Sequence, residues 1–550
     1  MAVSRFLNLE RKLMKDPVLY DQYQKCMLEY EKLGHMTVAT GPGKYHIPHH
    51  AVIKHENNKI KLRVVFDASA KSSSGISLND ILHVGPKLQT DISDLLHRCW
   101  LHKFMFTADI CKMYRQITVV PEDRQFQHII WRTHIERPLL EYELNTITYG
   151  ITSSPFQAIR VLHQLERDEG SKYPSVANTL SAQTYVDDII SGDNTVEAVI
   201  KHQHDVTQLL LGAGFELKKW SSNCNELLQS IPPEDRATNI TFEPKDSSTK
   251  KILGLQWDPS SDTFSYHTNT LSLTNTYTKR LILSTIAKLP TFNGMIAYLS
   301  LSRIHGNDFR RKYRFSDASE KGYAAIVYLR HVHDNGHISI YFITAKSKVA
   351  PLKITNHKTE LTIPRLELCG ALLLSQTINR LMTTFNNTVT ISAVHAWTDS
   401  RIVLSWLTSE QTEFKIFVTN RLAKIAELTP SCNWHYISSE LNPSDCVSHG
   451  LFPSEAITNK LYWNGPPFLT LPECEWPVIF FEPILSSLLP EVKEMGPKTL
   501  TNLDATSHVN DKEWVARFSS VTRLQRVMAY VYRFIHRTRK IVLLPIDKSP

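Results

Sequence analysis

Two adjacent carboxylates, Asp187 and Asp188, sit among β-branched and aromatic residues in the run Gln183-Thr184-Tyr185-Val186-Asp187-Asp188-Ile189-Ile190-Ser191-Gly192-Asp193. The apolar residues around them and the Ser-Gly-Asp turn signal that follows read as a short hairpin. Two acids at such a tip repel each other. Something cationic must offset that cost, and divalent ions held by oxygen ligands are the usual answer. A solvated turn carrying two aspartates would look the same over four residues, so the choice rests on the chain upstream. Between Phe104 and Val120 apolar residues lead up to Asp109, and a helical turn is expected after it. An acid at the end of a buried strand is costly unless paired or coordinated. Two metal ions about 3.5–4 Å apart need oxygen ligands from separate strands, and one strand-end Asp plus an Asp-Asp hairpin supplies them.

The 550 residues are enough for two or three domains. No apolar run approaches the ~20 residues needed to span a bilayer, and the N-terminal stretch lacks an apolar signal core. The expectation is an intracellular chain, cytoplasmic or nuclear, neither secreted nor membrane-bound. Cys26, Cys99, Cys111, Cys224, Cys369, Cys432, Cys446 and Cys474 form no C-x-x-C pair, which argues against a zinc module or a disulfide framework. A formal charge of +8, spread over this length, is compatible with a polyanion partner and no more.

Along the chain, Leu7, Leu9, Leu13, Tyr20, Tyr23, Met27 and Tyr30 recur at helical spacing and predict one or two amphipathic helices between Phe6 and His35. Tyr45 to His55 and Lys59 to Asp67 flank a polar Glu56-Asn57-Asn58 turn and predict a β-hairpin. Its histidines have no acid or cysteine partner at metal-ligand spacing, which favours structural or substrate-contacting roles. Arg63 and the hairpin lysines are placed to reach phosphate oxygens. A second pattern starts at Arg314. Three antiparallel strands are predicted over Arg314–Ser319, Tyr323–Leu329 and Ile338–Ile343, the last two joined through an Asn335-Gly336 turn. A helix opens at Thr362-Ile363-Pro364 and runs toward Met382; a strand ends at Asp399; Asp445 stands at a helix start.

Phe106 to Val119, Tyr149-Gly150-Ile151-Thr152-Ser153-Ser154-Pro155-Phe156-Gln157 and Tyr185 to Asp188 occur in the order and spacing of the palm motifs of reverse transcriptases. Leu33-Gly34-His35-Met36, Pro48 to Lys54, Arg63 to Ser69 and Ser77-Leu78-Asn79-Asp80 resemble more closely the Pol polyprotein of BEL/Pao-type LTR retrotransposons. The resemblance implies that Asp109, Asp187 and Asp188 are metal-binding carboxylates and that Tyr114 lies beneath the sugar and rejects a 2′-hydroxyl. It implies that Arg63 holds the incoming triphosphate and that Gly150, Ser154 and Pro155 support the template and nucleotide pocket. Lys218 and Lys219 resemble the motif whose lysine acts as an acid toward pyrophosphate, and Leu253 to Trp257 the primer-grip turn.

In the second pattern D-A-S, P-R-L-E-L, W-T-D-S and N-P-S-D resemble the same elements, so Asp317, Glu367, Asp399 and Asp445 are similar to the four-carboxylate set of the ribonuclease H fold. His449 stands where the family more often has Arg, and a surface position is expected for it. The implied architecture is an α+β and α/β multidomain chain: right-hand polymerase fingers and palm, then a ribonuclease H-like α/β domain. The expected divisions are N-terminal helices and fingers over 1–100, palm over 101–277, a shortened thumb and connection over 278–312, a ribonuclease H-like domain over 313–455, and a linker with a basic helix over 456–550. The implied cofactors are two Mg²⁺ or Mn²⁺ ions per site. The implied partners are an RNA template, a DNA primer, RNA–DNA hybrid and deoxynucleoside triphosphates; the sequence leaves the oligomeric state open. The short 278–312 interval predicts poor processivity or no polymerisation, and a catalytically impaired retroelement remnant that only binds nucleic acid or other partners is the competing expectation. No protease or integrase motif is found within the chain.

Overall fold

Asp16 divides the N-terminal helical segment in two, ending one helix and capping the next. Its carboxylate accepts the Leu19 N–H at 3.1 Å, and Pro17 opens the second helix where no donor is needed. The two helices are α1 (Ala2–Leu13) and α2 (Pro17–Lys32). The computed structural model describes residues 2–56, 59–237, 250–252, 255–265, 311–333, 335–351, 362–385, 393–410, 413–451, 453–477 and 481–493. The chain separates into a large unit, Met1–Val492, and a small one, Lys493–Pro550. Most of the 278–312 interval, the basic helix expected over Arg523 to Lys540, and Leu253-Gly254 of the expected primer-grip turn lie outside the described residues.

After α2 come β1 (Met36–Val38), the antiparallel hairpin of β2 (His49–Glu56) and β3 (Lys59–Phe66), helix α3 (Ile92–Cys99), β4 (Phe104–Ile110), β5 (His128–Trp131) and β6 (Leu140–Leu144). Strands β1, β6 and β5 form one sheet in that order. Phe6, Tyr23, Met27 and Tyr30 of the two helices bury against Met36, Phe66, Ile129, Trp131 and Tyr142, which gives this region its own core. The second core lies under a four-stranded sheet. Helix α4 (Ser154–Glu169), β7 (Thr184–Tyr185), β8 (Asp188–Asp193), α5 (Val196–Leu211) and β9 (Leu217–Ser222) follow, and the sheet order is β7-β8-β4-β9. Phe106, Ala108 and Ile189 pack on Ala158 and Leu162 of α4 and on Val199, Val206 and Leu209 of α5. A small sheet of β10 (Lys250–Ile252), β11 (Leu255–Asp258) and β12 (Thr263–Ser265) follows, with Trp257 buried against Leu95, Cys99, Met105 and Ile190.

The third core is built on five strands, β13 (Arg311–Ala318), β14 (Gly322–Val332), β15 (Ile338–Val349), β16 (Ala393–Thr398) and β17 (Cys432–Tyr436). Their order is β15-β14-β13-β16-β17; the first three pair antiparallel, whereas β16 runs parallel to both β13 and β17. Helix α6 (Ile363–Phe385) makes the crossover between the antiparallel and parallel parts, followed by α7 (Arg401–Thr408), α8 (Ile416–Leu428) and the short α9 (Asp445–His449). Strand β14 reads as a nearly unbroken apolar run because both its faces are covered. Ala325, Val327 and Leu329 meet Leu374, Ile378 and Leu381 of α6, while Ile326 and Tyr328 meet Tyr462, Phe468 and Leu469. The stretch after residue 455, read from sequence as a linker, therefore closes the second face of this sheet. The Tyr328 hydroxyl donates to the Tyr462 carbonyl at 2.7 Å, and Arg330 donates to the carbonyls of Leu469 and Leu471, each at 2.9 Å.

Candidate active sites

Strand pairing assembles the first carboxylate cluster. Asp109 near the end of β4 pairs directly with Asp188 at the start of β8, and Tyr185 pairs with Asp188 across the hairpin. Val186 at the tip has φ 55°, a conformation costly for a β-branched residue. It is held there from outside: its N–H donates to the Gln89 side chain at 3.0 Å, and the neighbouring Asp187 carbonyl accepts the Ile110 N–H at 2.7 Å. Burial, and then the charge of Asp109, push the Asp187 carboxyl above the ordinary range, against a hydrogen bond from its own N–H and the charge of Lys219.

Lys219 stands at a bulge of β9 with φ 55°, and its Nζ lies 2.8 Å from Asp109 Oδ2. Burial opposes its charged form, but the bond to Asp109 and the charges of Asp109, Asp187 and Asp188 raise its pKa. Lys218 turns elsewhere, 3.5 Å from Asp235 and 3.7 Å from Glu216. Tyr114 is buried on a 3₁₀ turn after β4, and its ring lies 4.3 Å, centroid to centroid, from that of Tyr149. Burial, followed by the Asp187 charge, raises both phenols, Tyr149 to about 12. Tyr149 is thus a neighbour of the cluster that residue patterning did not single out.

The other residues expected at the nucleotide pocket have their own local settings. Gly150 has φ 95°, and a Cβ there would fall 2.3 Å from the Phe66 carbonyl oxygen, so the end of β3 can approach only a glycine. The Gly150 carbonyl accepts from the Asn79 side chain at 2.9 Å. Ser154 is buried and donates to the Thr148 carbonyl at 2.7 Å, and Pro155 occupies the first turn of α4. Arg63 is exposed on β3, opposite Val52 and in a different sheet from Asp109 and Asp188.

The second cluster forms where β13, α6 and β16 meet. A Cβ on Gly370 would lie 2.9 Å from the Asp317 carbonyl oxygen, so α6 crosses β13 in close contact and carries Glu367, one turn earlier, to the same place. Each of the three acids has a serine. Ser448 Oγ donates to Asp317 Oδ2, Ser400 Oγ to Glu367 Oε2, and Ser439 Oγ to Asp399 Oδ2 at 2.6 Å. Ser400 also caps α7, accepting the Val403 N–H at 3.2 Å. Sequence carried no signal for Ser439 and Ser448, because their partners are distant in the chain. Burial first, and then the charges of Asp399 and Asp317 against the Ser400 bond, push Glu367 up to about 7. Burial and the Asp317 charge push Asp399 up to about 6. Asp399 Oδ1 is buried and has no hydrogen-bond partner among the described residues. Asp445 opens α9, half-exposed, 3.5 Å from exposed His449. That helix is tied to the cluster through Ser448, which touches both the Asp445 carbonyl and Asp317.

Residues 307–400 match the model of the Pao retrotransposon-like RNaseH-like domain. No curated protein matches the chain in sequence. Among solved structures it is similar to the foamy viral protease-reverse transcriptase in complex with RNA/DNA hybrid, at 14% identity and TM-score 0.48, over 76% of this chain and 53% of that one. The same viral protein in complex with double-stranded DNA gives 13% identity and TM-score 0.46, over 76% of this chain and 83% of that one. Its dRH form with double-stranded DNA gives 14% and 0.46, over 74% and 68%. Over the segment that holds Asp317, Glu367 and Asp399, the chain thus resembles the ribonuclease H-like domain of Pao-type retrotransposons, in agreement with the retroelement motifs read from its sequence.

Proposed function

We propose that this chain is a retroelement-derived RNA-directed DNA polymerase joined to a ribonuclease H, each centre transferring phosphoryl groups with two divalent ions, Mg²⁺ or Mn²⁺. The observation that carries the proposal is a pair of separate carboxylate groups in which burial, and then a neighbouring acid, hold Asp187, Glu367 and Asp399 above the ordinary range. Such clusters need cations, and the buried, unpartnered Asp399 Oδ1 fits a ligand atom. Asp109, Asp187 and Asp188 would hold the ions of the polymerase centre; Asp317, Glu367, Asp399 and Asp445 those of the nuclease centre. When bound, the ions supply charge neutralisation for an in-line displacement.

The chain's own residues do the positioning. Tyr114, backed by Tyr149, presents a phenol edge beneath the sugar; Arg63 takes the triphosphate; Gly150, Ser154 and Pro155 support the nucleotide pocket. Lys219 is the acid for the departing pyrophosphate, and its contact with Asp109 supports that choice over Lys218. Fingers over 1–100, palm over 101–277, thumb and connection over 278–312, nuclease over 313–455 and a following linker over 456–550 are the divisions proposed. The substrates are an RNA template, a DNA primer, deoxynucleoside triphosphates and the RNA–DNA hybrid, and the proposed location is cytoplasmic or nuclear.

The test is extension of a DNA primer on an RNA template beside cleavage of RNA in the hybrid, with the full chain and Mg²⁺. Asp187→Asn is expected to lower extension at least ~10²-fold and leave cleavage, and Asp399→Asn to do the reverse. Extension that survives Asp187→Asn would sink the polymerase assignment. Silence in both assays from a folded chain would favour the impaired remnant.

A further inference from the structure

His46 lies in the connection between β1 and β2, where a short parallel bridge pairs it with His128 at the start of β5. Its Nε2 is 2.7 Å from Glu141 Oε1, and His128 Nδ1 is 2.7 Å from the same oxygen. The three donor atoms lie within 4.8 Å of one another. The His128 side chain is 3% exposed, whereas those of His46 and Glu141 are 29% and 33% exposed, so the cluster is walled on one side and open on the other. Backbone closes over it as well. The Gly43 N–H donates to Glu141 Oε1 at 2.8 Å, and a Cβ on Gly43 would fall 2.4 Å from His128 Nδ1. Behind His128, its Nε2 faces Glu143 Oε2 at 3.9 Å, and Arg124 stands 3.5 Å from the other Glu143 oxygen.

We propose that His46, His128 and Glu141 bind one zinc-class divalent ion, through His46 Nε2, His128 Nδ1 and Glu141 Oε1, with water in the fourth position. Two imidazoles and one carboxylate suit a first-row transition ion; Mg²⁺ and Ca²⁺ prefer oxygen alone. A tetrahedral ion with bonds of about 2.0 Å places its ligands roughly 3.3 Å apart, so the two hydrogen-bonded contacts need to open by only about half an ångström. Glu143 supplies the carboxylate that commonly backs a ligating imidazole, fixing its tautomer and raising its basicity. Sequence spacing hid the site because Glu141 lies 95 residues from His46 and the β5–β6 hairpin alone brings His128 beside it. A bound ion would clip the 39–48 connection to that hairpin. The inference does not rest on the polymerase reading, since neither carboxylate cluster takes part.

The experiment is Co²⁺ and Zn²⁺ titration of the chelator-stripped full chain in excess Mg²⁺, which keeps the oxygen-only clusters occupied. One equivalent of Co²⁺ is expected, with visible absorption typical of nitrogen ligation, displaced by Zn²⁺; Zn²⁺ is also expected to raise the Tm. His46→Ala and Glu141→Gln should lose that equivalent while keeping the wild-type circular dichroism, and Glu143→Gln should weaken it ~10–100-fold. The Asp187→Asn/Asp399→Asn double variant should keep it. The proposal is overturned if wild type binds no more Co²⁺ or Zn²⁺ than His46→Ala; Glu141 is then only a hydrogen-bond acceptor for two imidazoles. Loss of the equivalent in the Asp187→Asn/Asp399→Asn variant overturns it equally.

Discussion

At the scale of single residues, Asp399 shows how burial beside another acid turns into pH dependence. Its folded-state pKa is raised to about 6 by burial and by Asp317, above the value of a free aspartate. The folded state therefore keeps a proton that the unfolded chain releases, and stability from this group is present below the unfolded value and lost as pH rises through 6. Glu367, raised to about 7, acts in the same sense. Without divalent ions, Asp399→Asn is expected to melt higher than wild type at pH 8, with the gap closing toward pH 5; Mg²⁺ at pH 8 should raise the wild-type Tm more than the variant's. A gap independent of pH would count against the coupled cluster. Buried histidines act oppositely: burial lowers His49, His97 and His202 to about 4, so stability from them is present above the unfolded value and lost as pH falls through 4. Comparing the two proteins at each pH cancels that background.

Element contacts decide whether the acids meet at all. Each acid's place along its own strand or helix could be read from patterning: apolar residues leading to Asp109, a strand ending at Asp399, a helix opening near Pro364. What patterning does not contain is how closely α6 crosses β13. Gly370 permits that approach, and Gly370→Ala should force helix and strand apart, costing about 1–3 kcal/mol of stability and lowering hybrid cleavage more than primer extension. Thermal melts beside both assays test this, and an unchanged cleavage rate would show that the crossing has slack. Lysine selection is also an element effect. The bulge in β9 turns Lys219 toward Asp109 and leaves Lys218 with Asp235, a distinction invisible in the dipeptide. Lys219→Met should slow extension while Lys218→Met leaves it near wild type.

Across the whole large unit, the two halves are joined where α6 meets α3. Arg380 on α6 meets Asp94 through Nε at 2.6 Å and Nη2 at 2.9 Å, and Asp91 at 2.9 Å, all on the first turn of α3 and its cap. Leu101 packs into the core between α6 and the five-stranded sheet, and His97 Nε2 lies 3.3 Å from the Ile343 carbonyl. Arg380→Ala should destabilise the chain by about 1–3 kcal/mol and split its thermal unfolding into two steps; Arg380→Lys should rescue little, lacking the two-pronged geometry. A single unshifted transition would refute that coupling. The sequence by itself determined the local facts: which runs form strands and helices, where acids end them, and that two retroelement-type motif sets follow one another. Those properties come from side-chain periodicity and turn chemistry over a few residues. Only the tertiary structure decided which distant groups share a site: the serines beside Asp317, Glu367 and Asp399, Tyr149 behind Tyr114, Glu141 between two histidines, and the post-455 stretch sealing the sheet. Such contacts arise from burial and charge compensation between segments far apart in the chain, and local spacing carries no record of them.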